Sequence, residues 1–120
     1  MKDKMIIEGN KLIAEFMGYE THENWEFWIT GSYIEKFDWY SPGTMKFHND
    51  WNWIMPVVEK IESKNYAVTI TQNICIIQAS IMGDCTTITR QSGNYDTPNT
   101  KIHNTWLAVI EFINWYNKNK

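Results

Sequence analysis

The sequence predicts an α+β domain in which three helices pack on an antiparallel sheet of three to four strands. Two observations predict it. Apolar residues recur with the period of a helix in three stretches, and from Tyr66 the period changes to two, as in strands. The element order is helix, short strand, helix, three strands, helix. A chain of 120 residues suffices for one hydrophobic core, so residues 1–120 are expected to form a single domain.

The first helix is predicted over residues 3–17. Asp3 can cap its free amides, and Gly18 can take the left-handed position after its last turn. Gly9 falls inside the apolar arc, which costs helix propensity but allows a neighbouring element to approach the helix closely there. The apolar side chains of this arc are Met5, Ile6, Leu12, Ile13, Phe16 and Met17.

Residues 19–47 carry nine aromatic side chains, more than a connecting loop requires. Partial alternation predicts a short strand at 25–30, and an irregular segment is expected after it. Ser41-Pro42-Gly43 indicates a turn, because proline fixes φ and glycine accepts a positive φ. Two interpretations remain for these aromatics. They form a binding surface that includes Trp28 and Trp39, or they cover the edge of the core.

The central helix is predicted to begin after Asn49 or Asp50, either of which can cap it. Its helical stripe, which we expect to face the core, consists of Trp51, Ile54, Met55, Val58 and Ile61. Trp53 and Val57 lie on the flank of this stripe, so a second layer covers them or they stay partly exposed. Pro56 removes one amide, which predicts either a kink or a new helix start there.

Three strands joined by short turns are predicted to form an antiparallel meander. Residues 66–71 alternate, residues 74–82 are apolar on both faces and therefore central, and residues 86–90 form a more polar edge strand. Cys75 and Cys85 are predicted to be free thiols, because a turn at residues 83–84 would place Cys75 opposite the region of Ser92.

The last helix is predicted over residues 101–116, with Thr100 as its cap. Its apolar arc is about 160° wide, which is typical of a helix held between the sheet and another helix or a second subunit. Asn104 is assigned to the opposite, polar side. Leu107 and Trp115 lie off the main apolar face, which predicts a contact with a further element or protein.

No spacing in the sequence assembles a catalytic, metal or cofactor site. The three histidines lack the paired spacings of metal sites, the cysteines form no CxxC, and no glycine-rich phosphate loop exists. His48 precedes the central helix, where an imidazole bonded to backbone is one interpretation and a catalytic group is the other. Cofactors and metals are therefore expected to be absent.

The charge and hydropathy of the sequence argue against two classes of partner, nucleic acids and membranes. The net charge is −3 and Arg90 is the single arginine among eleven basic residues, which argues against nucleic acid. No apolar run reaches the roughly 20 residues that span a bilayer, and the first residues are charged, so we expect no membrane contact and a cytoplasmic location.

Two stretches, HNDWNWIMPVVEKIE and TKIHNTWLAVIEFINWYN, resemble the phage ABA sandwich domain family, small phage and bacterial proteins without a known activity. The resemblance implies an α-β-α layered fold, a phage or prophage context and no transferable site residues. Asp50 stands where the family has a capping serine, and Asn52 replaces the acid between the two tryptophans. The matching residues are His48, Trp51, Trp53, Met55–Ile61, Lys101, Ile102, Ala108, Val109, Phe112, Trp115 and Tyr116.

The leading functional prediction is a non-enzymatic interaction module that binds an unknown protein partner or itself, in the cytoplasm of a bacterium or of a phage-infected host cell. Two rivals remain: an enzyme that processes a small molecule or nucleotide near His48, and a single-strand nucleic-acid binder that uses exposed tryptophans. The candidate binding residues are Trp28, Trp39, His48, Trp53, Leu107 and Trp115.

Overall fold

The computed structural model describes residues 2–21, 27–29, 38–71, 74–79, 87–91 and 100–119. These residues form three helices and an antiparallel sheet of three strands, which confirms the predicted α+β fold class. The elements are α1 (Lys2–Met17), β1 (Phe27–Ile29), β2 (Asp38–Tyr40), a 3-10 turn (Pro42–Thr44), α2 (Trp51–Ser63), β3 (Tyr66–Ile70), β4 (Ile74–Ala79), β5 (Thr87–Gln91) and α3 (Thr100–Asn119).

The main sheet has the order β3-β4-β5, with both pairs antiparallel and β4 in the centre. The predicted meander, with its apolar middle strand, is therefore confirmed. Ile77 lies opposite Val68 on one side and Ile88 on the other. Cys75 lies opposite Arg90, two residues from the Ser92 region that a turn at residues 83–84 predicted. Cys75 is a buried free thiol, whereas Cys85 lies outside the described residues.

The helices cover one face of this sheet. α2 packs on β3, α3 packs on β4 and β5, and α1 packs on α3. Among the described residues, the layers therefore follow the order sheet, α3, α1, and α3 lies between the sheet and another helix, as its wide apolar arc predicted. The covered face includes Cys75, Ile77 and Ile88, which are buried; the open face includes Ala67, Thr69, Gln78 and Thr89, which are exposed.

β1 and β2 form a separate two-stranded sheet with Phe27 opposite Tyr40 and Trp28 opposite Trp39. β1 lies within the strand predicted at residues 25–30. β2 was not predicted, because three residues are too few to establish an alternating pattern, and its pairing partner lies about ten residues away in sequence. Phe27 is almost fully buried, so this hairpin covers part of the core.

The buried side of α2 differs from the predicted stripe. Trp51 was predicted to lie in the core but is 36% exposed, whereas Trp53 is 6% exposed and Val57 is fully buried. The reason is a second layer: the rings of Tyr40 and Phe47 pack edge-on against Trp53 at centroid distances of 5.0 and 5.1 Å. The buried face is thereby rotated toward the flank that these rings cover.

The N-terminal end of α2 follows the capping prediction, and its interior excludes one of the two outcomes predicted at Pro56, a new helix start. The side chain of Asp50 accepts a hydrogen bond from the Asn52 amide at 2.9 Å, so Asp50 is the N-cap. The helix continues from Trp51 to Ser63 through Pro56 without a new start.

The ends of α1 and α3 are close to their predicted positions. α1 begins at Lys2, so Asp3 lies inside its first turn and is not its cap; Gly18 has φ +75°, as predicted for the residue after the helix. α3 begins at Thr100 itself. The assignment of Asn104 to a polar face was wrong: it is 3% exposed, because α3 is packed on both sides.

Candidate functional site

The candidate site is a groove between α1 and α3, on the side of α3 that faces away from the sheet. Its volume is about 420 Å³. We call it the α1–α3 groove. Its lining consists of Lys4, Met5, Glu8, Gly9 and Leu12 from α1 and Leu107, Ile110 and Asn114 from α3.

The interior of the α1–α3 groove is apolar and its rim is charged. Met5 is 46% exposed, and Leu12, Leu107 and Ile110 are half-buried, so apolar side chains are accessible along the groove. Lys4 and Glu8 are exposed at the rim. An arrangement of apolar walls with few polar groups favours binding of apolar side chains over chemical catalysis.

Gly9 determines how closely the two helices approach. A Cβ atom at this position would lie 2.5 Å from Ile110 Cδ1 and 2.5 Å from Trp106 Cζ2. Since ordinary contacts begin near 3.4 Å, any larger residue would force the helices or these side chains apart. The sequence prediction that Gly9 permits a close approach is confirmed, and the neighbouring element is α3.

A buried hydrogen-bond cluster lies next to the groove and joins α1, α3 and the segment that precedes α2. Asn10 is fully buried. Its Nδ2 donates to the carbonyl oxygens of Pro42 (3.1 Å) and Met45 (3.2 Å), and its Oδ1 accepts from Trp106 Nε1 at 3.1 Å. We call these residues, together with His48, the Asn10 cluster. Because a buried polar group without partners costs free energy, these bonds fix the three segments relative to one another.

His48 belongs to this cluster. Its Nδ1 lies 3.3 Å from Asn10 Nδ2. The two hydrogens of this amide are directed at the Pro42 and Met45 carbonyls, so Nδ1 can share one of them only when it is unprotonated. Burial lowers the pKa of His48 below its ordinary value of 6.5, which favours the neutral form. The hydrogen-bond partner is thus a side-chain amide, where the sequence interpretation expected backbone. His48 lines neither the α1–α3 groove nor the two further cavities described below.

Sequence reasoning missed Asn10. It borders the apolar arc of α1, and an asparagine at the margin of a buried face is the available signal, because such a side chain must find partners when the helix is covered. The partners themselves are 32 to 96 residues away in sequence, which no local pattern reveals.

The tryptophans predicted as binding residues take different positions. Trp53 is buried in the core against Tyr40 and Phe47, so its ring offers no surface for a ligand. Trp39 is half-buried and lies opposite Trp28 in the hairpin; the side chain of Trp28 lies outside the described residues. The hairpin thus pairs these two positions, and Trp39 is not among the described residues that line the α1–α3 groove.

Leu107 and Trp115, which sequence analysis placed off the main apolar face of α3, lie on different sides of that helix. Leu107 lines the α1–α3 groove. Trp115 is half-buried, and its ring lies 6.0 Å from those of Tyr66 and Phe112, so β3 supplies its contact. Among the predicted binding residues whose side chains the structure describes, Leu107 alone is part of the groove lining.

A second cavity of about 350 Å³ lies where the C-terminal ends of α1 and α3 meet α2. Lys60 Nζ donates to the Phe16 carbonyl at 2.6 Å and lies 5.0 Å from the Phe16 ring centroid, and Lys64 Nζ lies 5.2 Å from that of Tyr116. Burial, then the nearby Lys64 charge, lowers the pKa of Lys60. Lys60 thus binds a carbonyl at the C-terminal end of α1, where helix carbonyls lack intrahelical partners, and Lys64 lies over the neighbouring rings, so the role of both is structural.

A third, shallow cavity of about 370 Å³ is lined by Trp51, Met55, Ile70 and Lys101. Trp51 is the exposed tryptophan among those whose side chains are described. A single aromatic ring beside one lysine does not form the repeated stacking platform that a single-strand binder uses.

Comparisons with known proteins assign the chain neither a family nor a site. Neither a family model, nor a curated protein, nor a solved structure matches the chain. The described residues contain no group of three or more metal-ligating side chains. None of the described helices is long and apolar enough to cross a membrane. The resemblance to the phage ABA sandwich family stays a prediction.

Proposed function

We propose that the protein is a non-enzymatic interaction module of phage or prophage origin, and that it binds an amphipathic helix of a partner protein in the α1–α3 groove. The observation that carries the proposal is the groove itself, an accessible apolar channel between two helices, with Met5 46% exposed at its side. Leu107, whose position off the apolar face of α3 predicted a contact, lines the groove.

The dimensions of the groove suit a helix. The α1 residues of its lining extend from Lys4 to Leu12, which corresponds to about 12 Å at 1.5 Å per residue, or two helical turns. A helix of a partner presents apolar side chains at i, i+3, i+4 and i+7 over that length. One lysine and one glutamate at the rim provide charges of both signs for the polar flanks of such a helix.

The enzymatic alternative finds no support in the described residues. A general acid-base mechanism needs two ionisable groups that converge on a substrate, and the α1–α3 groove holds only Lys4 and Glu8 at its rim. His48 is engaged by Asn10 through Nδ1. The nucleic-acid alternative is likewise not favoured, since Trp53 and Trp106 are buried.

Site-specific crosslinking tests the proposal. A photoreactive phenylalanine analogue replaces Leu107 in the groove or, as the matched control, Glu62, which is exposed on α2 outside the groove. In the native host cells we expect a discrete adduct from position 107 and none from position 62. The crosslinked protein is then purified, and its affinity for the wild-type chain is measured by calorimetry.

The affinities of groove variants for the purified partner test whether the partner binds in the α1–α3 groove. Leu107→Asp places a charge in the apolar lining, so we expect it to weaken binding at least tenfold, whereas Glu62→Gln leaves binding unchanged. Equal affinity of wild type and Leu107→Asp for the purified partner contradicts the proposal, as does an equal yield of adducts from both positions. Trp115→Ala is unsuitable as a probe, because Trp115 packs on Tyr66 and its loss would change stability.

A further inference from the structure

The Asn10 cluster allows only one orientation of the Asn10 side-chain amide. Asn10 Nδ2 faces the carbonyl oxygens of Pro42 and Met45, which only accept, and Asn10 Oδ1 faces Trp106 Nε1, which only donates. A reversed amide would set an oxygen against two carbonyls and an NH2 group against the indole N–H. The partners therefore fix the amide with its NH2 end toward His48.

Protonation of His48 makes its contact with Asn10 repulsive. His48 Nδ1 lies 3.3 Å from Asn10 Nδ2. In the imidazolium form both ring nitrogens carry hydrogen, so an N–H donor would face an NH2 group that also only donates. Reversal of the amide does not relieve this conflict, because it breaks the three bonds to Pro42, Met45 and Trp106. The protonated ring and the amide must therefore move apart.

The groups packed against the His48 ring do not compensate for its charge. Asn10 contacts the ring from α1 and Trp106 contacts it from α3, at a centroid distance of 6.1 Å, and neither side chain titrates. A second imidazole, that of His103, stacks on Trp106 at 6.4 Å. Burial is the cause that lowers the pKa of His48 below 6.5. The charged residues closest in sequence to these contacts are Lys11 on α1 and Lys46 and Asp50 beside His48.

The Asn10 cluster is joined to the α1–α3 groove through two residues. Gly9, which lines the groove, precedes Asn10 and lies so close to Trp106 that a Cβ would be 2.5 Å from Cζ2. Trp106 also donates to Asn10 and precedes Leu107 of the groove lining. A displacement of Asn10 or Trp106 therefore changes the spacing of α1 and α3 along the groove.

We propose that protonation of His48 is a switch that loosens the α1–α3 groove, so that the protein binds its partner helix at neutral pH and releases it in mildly acidic surroundings. This regulation rests on the proposed function, because it acts on the same groove. The groove is intact above pH 6.5 and loosens as the pH falls through the folded pKa of His48, which lies below 6.5. Because coupling between two sites is reciprocal, a helix bound in the intact groove also favours neutral His48.

NMR of the free chain, titrated from roughly pH 8 to 5 across the usual range of histidine, tests the switch without a partner. The ring protons of His48 report its own midpoint. The signals of the Trp106 Nε1–H, the Gly9 amide and the Ile110 methyl groups are expected to shift with the same midpoint. Below it, the Overhauser contact between Gly9 Hα and the Trp106 ring is expected to be lost. Protection of the Trp106 Nε1–H from solvent exchange is expected to fall about tenfold, as its bond to Asn10 is broken.

Two variants separate the switch from a general effect of acid. His48→Gln keeps an acceptor for Asn10 but does not titrate, so its groove signals are expected to stay constant over the same range. His103→Gln is the matched control, because it removes the other imidazole that contacts Trp106, and it is expected to respond as wild type does. The methyl signals of Ile76, in the central strand β4, are expected to stay constant in all three proteins, which excludes unfolding as the cause.

Three results overturn the proposal: groove signals that stay constant while His48 titrates, groove signals whose midpoint differs from that of His48, or a His48→Gln variant that responds to pH as wild type does. Crosslinking from position 107 tests whether the groove binds a partner, and this titration tests whether the groove responds to pH, so each can fail while the other holds.

Discussion

Replacing Gly9 by alanine measures how strongly the close approach of α1 and α3 constrains the fold. The added Cβ would lie about 0.9 Å inside the 3.4 Å at which ordinary contact begins, against both Ile110 and Trp106. Ile110 can change its rotamer at the open groove, but Trp106 is 1% exposed and bonded to Asn10, so it cannot withdraw. Overpacking of this kind costs about 1–3 kcal/mol.

Alanine also brings a gain, since it favours a helix interior over glycine by about 1 kcal/mol. We therefore expect Gly9→Ala to reduce the free energy of unfolding by about 1 kcal/mol and the melting temperature by roughly 4 °C for a domain of this size. Urea unfolding followed by circular dichroism measures the first quantity, and calorimetry measures the second.

Gly43→Ala is the matched control. Its Cβ would meet Ile7 at 3.5 Å, an ordinary contact, so a change within about 0.5 kcal/mol is expected. Gly9→Ala could instead be more stable than wild type by the full helix-propensity gain of about 1 kcal/mol. In that case α3 moves away from the added Cβ with no loss of stability, and the rigid contact at Trp106 is refuted. If both variants lost equal stability, glycine itself would matter and not the helix contact.

The other predictions concern buried groups. Asn10→Ala leaves Trp106 Nε1 and two carbonyls without partners, so we expect a loss of about 3 kcal/mol in urea unfolding; Asn10→Ala as stable as wild type contradicts the role of the cluster. Because the folded pKa of His48 is lowered, its contribution to stability is complete above pH 6.5 and is lost as pH falls through the folded pKa. His48→Gln, whose amide oxygen can accept from Asn10, should therefore show a flatter decline of unfolding free energy from roughly pH 7 to 5 than wild type, and an unchanged slope rejects this. Burial raises the pKa of Cys75 to about 11, so in a Cys85→Ser background its thiol should react with a disulfide reagent only at the rate of unfolding; fast labelling of the folded protein contradicts this.

Local periodicity was sufficient to predict the helices and the meander, because both patterns depend only on residues that are close together in the sequence. Asp50, Gly18 and the central apolar strand were recognisable for the same reason. The choice between Trp51 and Trp53 was not local. Either tryptophan could lie at the edge of the buried face of α2. Trp53 is the one that is buried, because Tyr40 in β2 and Phe47 in the segment before α2 pack against its ring.

The candidate site was predictable only in part. Leu107 was selected because it lies off the apolar arc, and Gly9 because it interrupts that arc, and both belong to the α1–α3 groove. Neither observation reveals that they face each other, since this depends on the packing of α1 against α3. Asn10 was missed because its four partners come from residues 42 to 106.

The position of Asn10 explains why a polar cluster lies beside an apolar groove. Apolar packing alone allows helices to slide and repack with little loss of stability, because contacts of similar area replace one another. A buried amide that must satisfy Trp106 and two carbonyls allows one arrangement. Since Gly9 precedes Asn10 and rests against Trp106, the same arrangement fixes the floor of the groove. The shape that a partner helix would meet is therefore set before binding, which reduces the entropy lost on association.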